Sequence, residues 1–542
     1  MIERRNLNLM LALAIIVLVA TAACGPKGPE AVPTPPQGGN FTEATTADAV
    51  SFHPYLTTDT ASSSYQGMVY ASGLMRRDPE TLDLIPDMAQ EWTVSDDYLT
   101  FTFTLRDDLK WSDGEPLTSA DFKFTFDRMM DPANDFPYRE AFDFIVSYEA
   151  PDERTIVITV DEPFCPALEG VDVVQPLPKH IWENLDWKDP ETNPEIMHPS
   201  VASGPFKLKE WVKDDHVIFE ANDSYFRGRP RLDTYTIRIV PEQEIAFTML
   251  KNGEVDTADI TPENYQEAVD HPDITVYEWW LARGSWSYIG FNLRRPHLQD
   301  VRVRQALSYA LNKQQIIDKV MHGLAQRIYS AYVPTSWVYN PDVPHYDYDP
   351  DKARELLKEA GYEPGPDGIL VKDGEPLKLQ LLFGPHTSKV REQIATIAQA
   401  QFKDMGVEVE IQGMEWGAFL EATKSEPFDW DMIVAGWLAT LDPHWMVQIW
   451  SEEFIPDLNA GAYVNKEVED LFAQGGKPPC DKESRQKVYG EIQRILAEDA
   501  PYVFLFQSKS YTGVNKRIGG IVPTPLGIGY NIEEWYVKPE EP

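Results

Sequence analysis

Between Leu84 and Lys123 the residues spell out a strand, a turn and the start of a capped helix. Leu99, Phe101, Phe103 and Leu105 alternate with Thr100, Thr102 and Thr104, the period of two that buries one face of a strand. Ser95-Asp96-Asp97 supplies the turn before it. After it comes a polar turn, Trp111-Ser112-Asp113-Gly114-Glu115-Pro116. Thr118-Ser119-Ala120-Asp121 then offers a cap to a helix that carries Phe122, Phe126 and Met129.

The same reading extends along the chain and separates two styles. From Phe41 to about Trp280 the signals are mainly hairpins. Ala150-Pro151-Asp152-Glu153 turns between Ile145–Tyr148 and Ile156–Val160, and Lys213-Asp214-Asp215 joins Phe206–Val212 to Val217–Phe219. This half is predicted to be mixed and largely antiparallel. Beyond Ile289-Gly290-Phe291-Asn292-Leu293 helical spacing takes over, with Val303, Leu307, Ala310 and Leu311 on one face. Asp349 and Pro350 open a helix bearing Ala353, Leu356, Leu357 and Ala360, and Gly361 ends it. The strand Leu377–Phe383, a helix through Val390, Ile394, Ile397 and Met405, and the strand Val407–Ile411 make a βαβ unit. This second half is an α/β lobe.

At the N-terminus, Arg4 and Arg5 precede an apolar run from Leu9 to Ala20, too short to span a bilayer comfortably and of the kind found in secretory signals. Gly25 to Asn40 is rich in Gly and Pro with almost no apolar side chains, so it is read as a tether. The remaining chain, about 500 residues, is too long for one core. Its 48 basic and 87 acidic residues give a net charge of −39, which makes nucleic acid and anionic lipid poor partners. A solvated acidic surface accounts for the excess.

No catalytic signature is present: neither Gly-x-Ser-x-Gly nor His-Glu-x-x-His, neither a Walker loop nor Gly-x-Gly-x-x-Gly after a strand. Asp347, Asp349 and Asp351 are superficially like a calcium loop, but the glycine and terminal Glu are missing, and capping explains Asp349 better. No metal and no cofactor is expected. Cys165 and Cys480 belong to no zinc or redox motif and lie far apart in sequence. Two separate buried thiols are the default for them, with a disulfide as the alternative.

The segment from Leu84 to Lys123 resembles the diagnostic stretch of family 5 extracytoplasmic solute-binding proteins, the peptide and nickel class that feeds ABC importers. Val201-Ala202-Ser203-Gly204-Pro205-Phe206-Lys207-Leu208, then Ala221 to Asp233, then Asp300-Val301-Arg302-Val303-Arg304-Gln305-Ala306-Leu307 resemble its further landmarks in the family's order. Thr21-Ala22-Ala23-Cys24 looks like a lipobox, with Thr21 where the family pattern has Leu. The resemblance covers about Phe41 to Tyr536. It implies an α/β fold, a two-lobed type II periplasmic-binding-protein architecture with an extra subdomain in the first lobe.

The implied organisation is a lipoprotein signal at 1–23, a tether at 24–40, and first-lobe segments at 41–60 and 198–285. The subdomain spans 61–197, the second lobe 286–506, and a return segment to the first lobe 507–542. The implied function is capture of an oligopeptide in the interlobe cleft for an ABC permease, with the monomeric protein held outside the cytoplasm by lipid on Cys24. An oligosaccharide receptor is the alternative, and an anchored extracytoplasmic hydrolase a distant one.

For the ligand site the resemblance points to Trp416, in Gly413-Met414-Glu415-Trp416-Gly417-Ala418-Phe419, and to Trp437, in Ala435-Gly436-Trp437. Trp286, Tyr288 and Trp337 are further candidates. Trp279 and Trp280 are read mainly as core, and because adjacent strand residues face opposite ways at most one of them should line the cleft. Peptide binders of this family commonly place an Asp between the Gly-Trp and a later acidic-Pro pair, to neutralise the peptide ammonium. Here that interval holds only Leu438, Ala439, Thr440 and Leu441. Asp442 is therefore a candidate counter-charge, although with Pro443 it reads first as the N-cap and N1 of a helix containing Val447 and Ile449. His444 beside it is read as an exposed helix residue rather than a metal ligand.

Overall fold

The computed structural model describes residues 35–71, 73–384 and 389–539. The segment read as a signal, Cys24 and the first part of the segment read as a tether lie outside the described residues. Three principal sheets carry the architecture.

The first has seven strands in the order Ile274–Trp279, Ser510–Asn515, Thr257–Ala258, Asn40–Thr45, Thr234–Ile239, His216–Ala221 and Phe206–Val212. Asn40–Thr45 runs parallel to both its neighbours, and every other pairing is antiparallel. The second has six strands, in the order Ala325–Arg327, Tyr502–Ser508, Ser285–Phe291, Met432–Leu438, Lys378–Phe383 and Glu408–Gly413. Lys378–Phe383 is parallel to both of its neighbours there. This is the expected βαβ unit, closed by the helix Val390–Lys403. A third, four-stranded antiparallel sheet orders Ala89–Val94, Thr100–Leu105, Thr155–Val160 and Ile145–Asp152.

The local chemistry explains these elements. Phe101, Phe103 and Leu105 point inward while the intervening threonines are half-exposed. Thr118 caps the helix Ser119–Met130 in a full capping box with Asp121, which satisfies two otherwise orphaned backbone donors. Trp111 departs from the polar-turn reading, since its side chain is wholly buried. Asp349 caps Pro350–Glu359, and Gly361 follows that helix at φ +94°, a left-handed conformation that glycine adopts without steric cost.

Buried residues show how the parts are joined. The segment containing the third sheet has no separate core: Phe103, Trp111 and Trp182 fall in one cluster with Phe41, Phe206 and Trp535. The second sheet is covered on both faces, by clusters around Leu307 and Leu381 and around Trp286 and Trp450. That burial fits the unbroken apolar run of its central strand, Met432-Ile433-Val434-Ala435.

The chain passes from the first sheet to the second between Trp279 and Ser285 and returns between Ser508 and Ser510. The molecule is thus two lobes joined by two adjacent crossovers. One expectation is overturned here. Cys165 and Cys480 are not separate thiols but a disulfide, with S–S 2.12 Å and Cα–Cα 5.2 Å across 315 positions. Sequence separation hid it, because folding alone brings two such distant segments within bonding reach.

Candidate functional site

Two adjoining cavities lie where the lobes face each other. One, of about 400 Å³, is lined by Phe142, Phe144, Glu169, Arg283, Thr440 and Trp445 among others. The other, of about 350 Å³, is lined by Arg76, Arg77, Glu169, Asp172, Leu441 and Leu526 among others. Their walls draw on the subdomain, the second lobe, the first crossover and the return segment. Glu169 and Leu441 border both.

The crossover is held firmly. The carbonyl of Leu281 accepts from Gln507 Nε2 at 3.0 Å and from Thr335 Oγ1 at 3.1 Å. Ala282 N–H donates to Pro525 O at 2.8 Å, and Ala439 N–H to Gly284 O at 3.1 Å. A Cβ on Gly284 would stand 2.6 Å from Gln507 Nε2 and 2.9 Å from the Leu281 carbonyl, so a glycine is needed for this approach.

The cleft is charged. Arg77 pairs with Glu169 at 2.5 Å and also donates to the Leu82 carbonyl at 2.6 Å. Burial pushes the Glu169 carboxyl up, Arg77 and Arg283 oppose it, and Asp442 reinforces it. The Asp172 carboxylate accepts the N–H groups of Leu74 and Met75 at 2.6 and 2.9 Å. Its pKa is pushed up to about 7 by burial, with Asp87 and Glu169 adding to the shift and the two N–H bonds opposing it.

Of the residues predicted from sequence, Trp286 and Tyr288 line neither cavity. They are 0 % and 2 % exposed, locked in an aromatic stack in which Tyr288 lies on Tyr502 with centroids 4.0 Å apart. Their inward direction follows from a sheet covered on both faces, which leaves alternate residues no solvent side. Trp437 is half-buried at the edge of this stack, 6.4 Å from Tyr288. Trp416, also half-buried, begins the helix Trp416–Lys424, stacks on Phe419, and carries the Arg391 guanidinium 4.7 Å from its ring centroid. Both tryptophans stand at the carboxyl ends of the parallel strands, where open α/β sheets receive ligands.

Trp337 is half-buried and packs under Arg485, whose guanidinium lies 5.6 Å from its ring. Trp279 and Trp280 are also half-buried rather than in the core, and Lys509 sits 5.4 Å from the Trp280 ring.

Asp442 caps the turn Pro443–Met446 by accepting His444 N–H at 2.8 Å. Both its oxygens also accept from Arg485, each at 2.7 Å. The pair is nearly solvent-free, with side-chain exposures of 7 % and 10 %, and Asp442 holds the Arg485 pKa well above its ordinary value. Asp442 therefore offers no free carboxylate to a ligand.

His444 is not an exposed helix residue. It is packed edge-on against Phe164 at 4.9 Å and lies 3.2 Å from Tyr489 OH. Burial lowers its pKa to about 4, with Asp442 opposing and Arg485 assisting. Among the described residues no group of three or more His, Cys, Asp or Glu is placed to hold a metal ion.

The disulfide closes one side of the cleft. Cys165 N–H donates to Gly476 O at 2.8 Å, Phe164 meets His444 and Trp445, and Lys482 pairs with Asp83 across the lobes. Sequence reasoning missed Arg76, Arg77, Glu169, Asp172 and Arg283. None stands at a periodic or motif position, and only Arg283, beside the Gly284 of the crossover, had a signal in its neighbourhood.

Comparison with known proteins places this geometry. The model of the bacterial extracellular solute-binding proteins, family 5, matches residues 83–454. The oligopeptide-binding protein AppA of Bacillus subtilis is 29 % identical over 547 residues, covering 99 % of each chain. Its structure with a nonapeptide superposes with a TM-score of 0.73 at 30 % identity, over 93 % of this chain and 100 % of that one. The ABC transporter substrate-binding protein CtaP of Listeria monocytogenes gives a TM-score of 0.80 at 28 % identity, over 93 % and 100 %. NikZ of Campylobacter jejuni, in complex with Ni(L-His), gives 0.74 at 27 %, over 92 % and 99 %.

Proposed function

The chain belongs to the bacterial extracellular solute-binding proteins of family 5, and from that premise we propose that it captures oligopeptides between its lobes and delivers them to an ABC permease. It is a binding protein, not an enzyme, and works outside the cytoplasm. The observation that supports the peptide reading most is a cleft walled by both lobes, in a chain matched end to end by a protein named for oligopeptide binding. An extended backbone can hydrogen-bond in such a cleft while its side chains stay loosely specified.

Trp416 and Trp437 are the proposed ring contacts, since rigid aromatic faces give contact area at little entropic cost. In the same reading 1–23 is a signal, Cys24 takes the lipid, and the Pro/Gly-rich segment after it lets a monomeric receptor range over the membrane surface. Acyl chains anchor by burying methylenes at about 0.8 kcal/mol each.

Mass spectrometry of material released from the purified protein, followed by thermal shift with peptide and glycan libraries, tests this. Peptides should be released and should raise the melting temperature. Binding of glycans alone would overturn the peptide assignment, and steady turnover abolished by one carboxylate substitution would overturn the receptor itself.

A further inference from the structure

The acids and bases around the cleft are unequally engaged. Glu169 is held by Arg77, Asp172 by two backbone N–H groups, and Asp442 by Arg485. Asp87, whose carboxyl feels the positive charge of Arg76, is held by Arg227 through both oxygens. Every carboxylate bordering the site thus already has its partners. Two of the guanidinium groups do not: among the described residues neither Arg76 nor Arg283 forms an ion pair, and each lines one of the two cavities. Arg76 Nε is buried without a hydrogen-bond partner among the described residues, and its guanidinium rests over the Tyr530 ring at 5.6 Å. Thr440 Oγ1, bordering the same cavity as Arg283, is likewise buried without a partner.

The cleft therefore has a basic surplus in a chain whose net charge is −39. Taking an ammonium out of water without a counter-charge costs several kcal/mol. A carboxylate, by contrast, would meet forked donors whose geometry it matches.

We propose that the site selects its ligand by an anionic group, a carboxylate received by Arg283 in the cavity it shares with the Thr440 hydroxyl while Arg76 adds positive charge from the adjoining cavity, and gives the ligand's ammonium no dedicated acid. This rests on the peptide reading above. Arg283 is suited to the role because the two residues before it are pinned at the crossover, the Leu281 carbonyl by Gln507 and Thr335 and the Ala282 N–H by Pro525 O, so the chain that carries its exposed side chain is fixed before ligand arrives. The carboxylate can come from a peptide C-terminus or from an acidic side chain, and the chemistry is the same.

The test is calorimetry on the intact protein with peptides of one sequence in four forms: free, N-acetylated, C-amidated and doubly blocked. A fifth form is amidated and carries an internal Glu, with its Gln counterpart. The expected result is at least a tenfold loss on amidation and less than threefold on acetylation. Internal Glu restores affinity if the side chain is the source, and fails to if the C-terminus is. Arg283→Gln and Arg76→Gln, checked as folded by circular dichroism, should reduce the acid-to-amide ratio to about twofold or less, and Arg283→Lys should recover part of it. If peptides bind but acids and amides bind alike, with neither terminus nor Glu mattering, or if acetylation costs more than amidation, the inference fails and the peptide receptor stands. If only neutral glycans bind, both fail.

Discussion

Severing the Cys165–Cys480 bond tests whether the lobes are stapled. The two cysteines come from the subdomain and the second lobe, 315 positions apart, and the chain itself connects those lobes only at the two crossovers. Closing a loop of that length removes unfolded-state entropy worth about 6 kcal/mol at 25 °C by the chain-entropy relation, against about 2–4 typically measured. With an unfolding entropy of about 2.1 cal/mol/K per residue, a chain of this size loses about 1 kcal/mol per kelvin near its midpoint. The double variant Cys165→Ser, Cys480→Ser should then melt about 2–6 °C lower, if unfolding is a single transition. The native-state effect is more telling. A disulfide holds its Cα atoms within about 4.4–6.8 Å, so this side of the cleft can part only as far as the bonded loops deform. Small-angle scattering of the ligand-free protein should show a larger radius of gyration after reduction, and a stopped-flow trace should show faster peptide association. Ligand-bound profiles should coincide, since closure brings the lobes together either way. Identical ligand-free profiles, melting temperatures and association rates with and without the bond would refute the staple.

Arg485→Ala would strand the buried Asp442 charge, so urea unfolding should show a loss of about 3–5 kcal/mol; Asp442→Ala on top of it should cost much less than its own single-variant loss. His53 is lowered to about 3 by burial and His444 to about 4, so the unfolded chain takes up protons near pH 6.5 that the fold refuses, and stability falls as pH drops from about 6.5 towards 4. Replacing both, as His53→Asn and His444→Gln, should flatten the melting temperature against pH over that window, whatever the constant packing cost; an unchanged slope would contradict the assignment. Thr118→Ala removes half of a capping box and should cost about 1 kcal/mol in the same urea assay.

Where the residues carry their own signal, sequence and structure agree. The alternation at Phe101, Phe103 and Leu105, the cap at Thr118 and the Asp349-Pro350 start with its Gly361 stop are local, and each is set by a few neighbouring residues. The preferred reading of Asp442 as an N-cap was also legible, because Asp-Pro is a short-range signature. The sequence could not show that the same carboxylate is clamped by Arg485, forty-three positions on. That partner turns a candidate ligand anchor into a closed pair, and it is contributed by a different helix.

The aromatic expectations divide in the same way. Trp416 and Trp437, singled out through the family resemblance, sit where the parallel strands end. Trp286 and Tyr288 lie in the middle of a sheet covered on both faces, and nothing in their own segment distinguishes a buried ring from a cleft ring. Least legible is the charge at the site. Arg76, Glu169 and Arg283 come from three separate stretches, and what matters about each is whether its partner is already taken. That property belongs to pairs formed across the fold, so the basic surplus of this cleft is invisible both in the acidic composition of the chain and in any one of its segments.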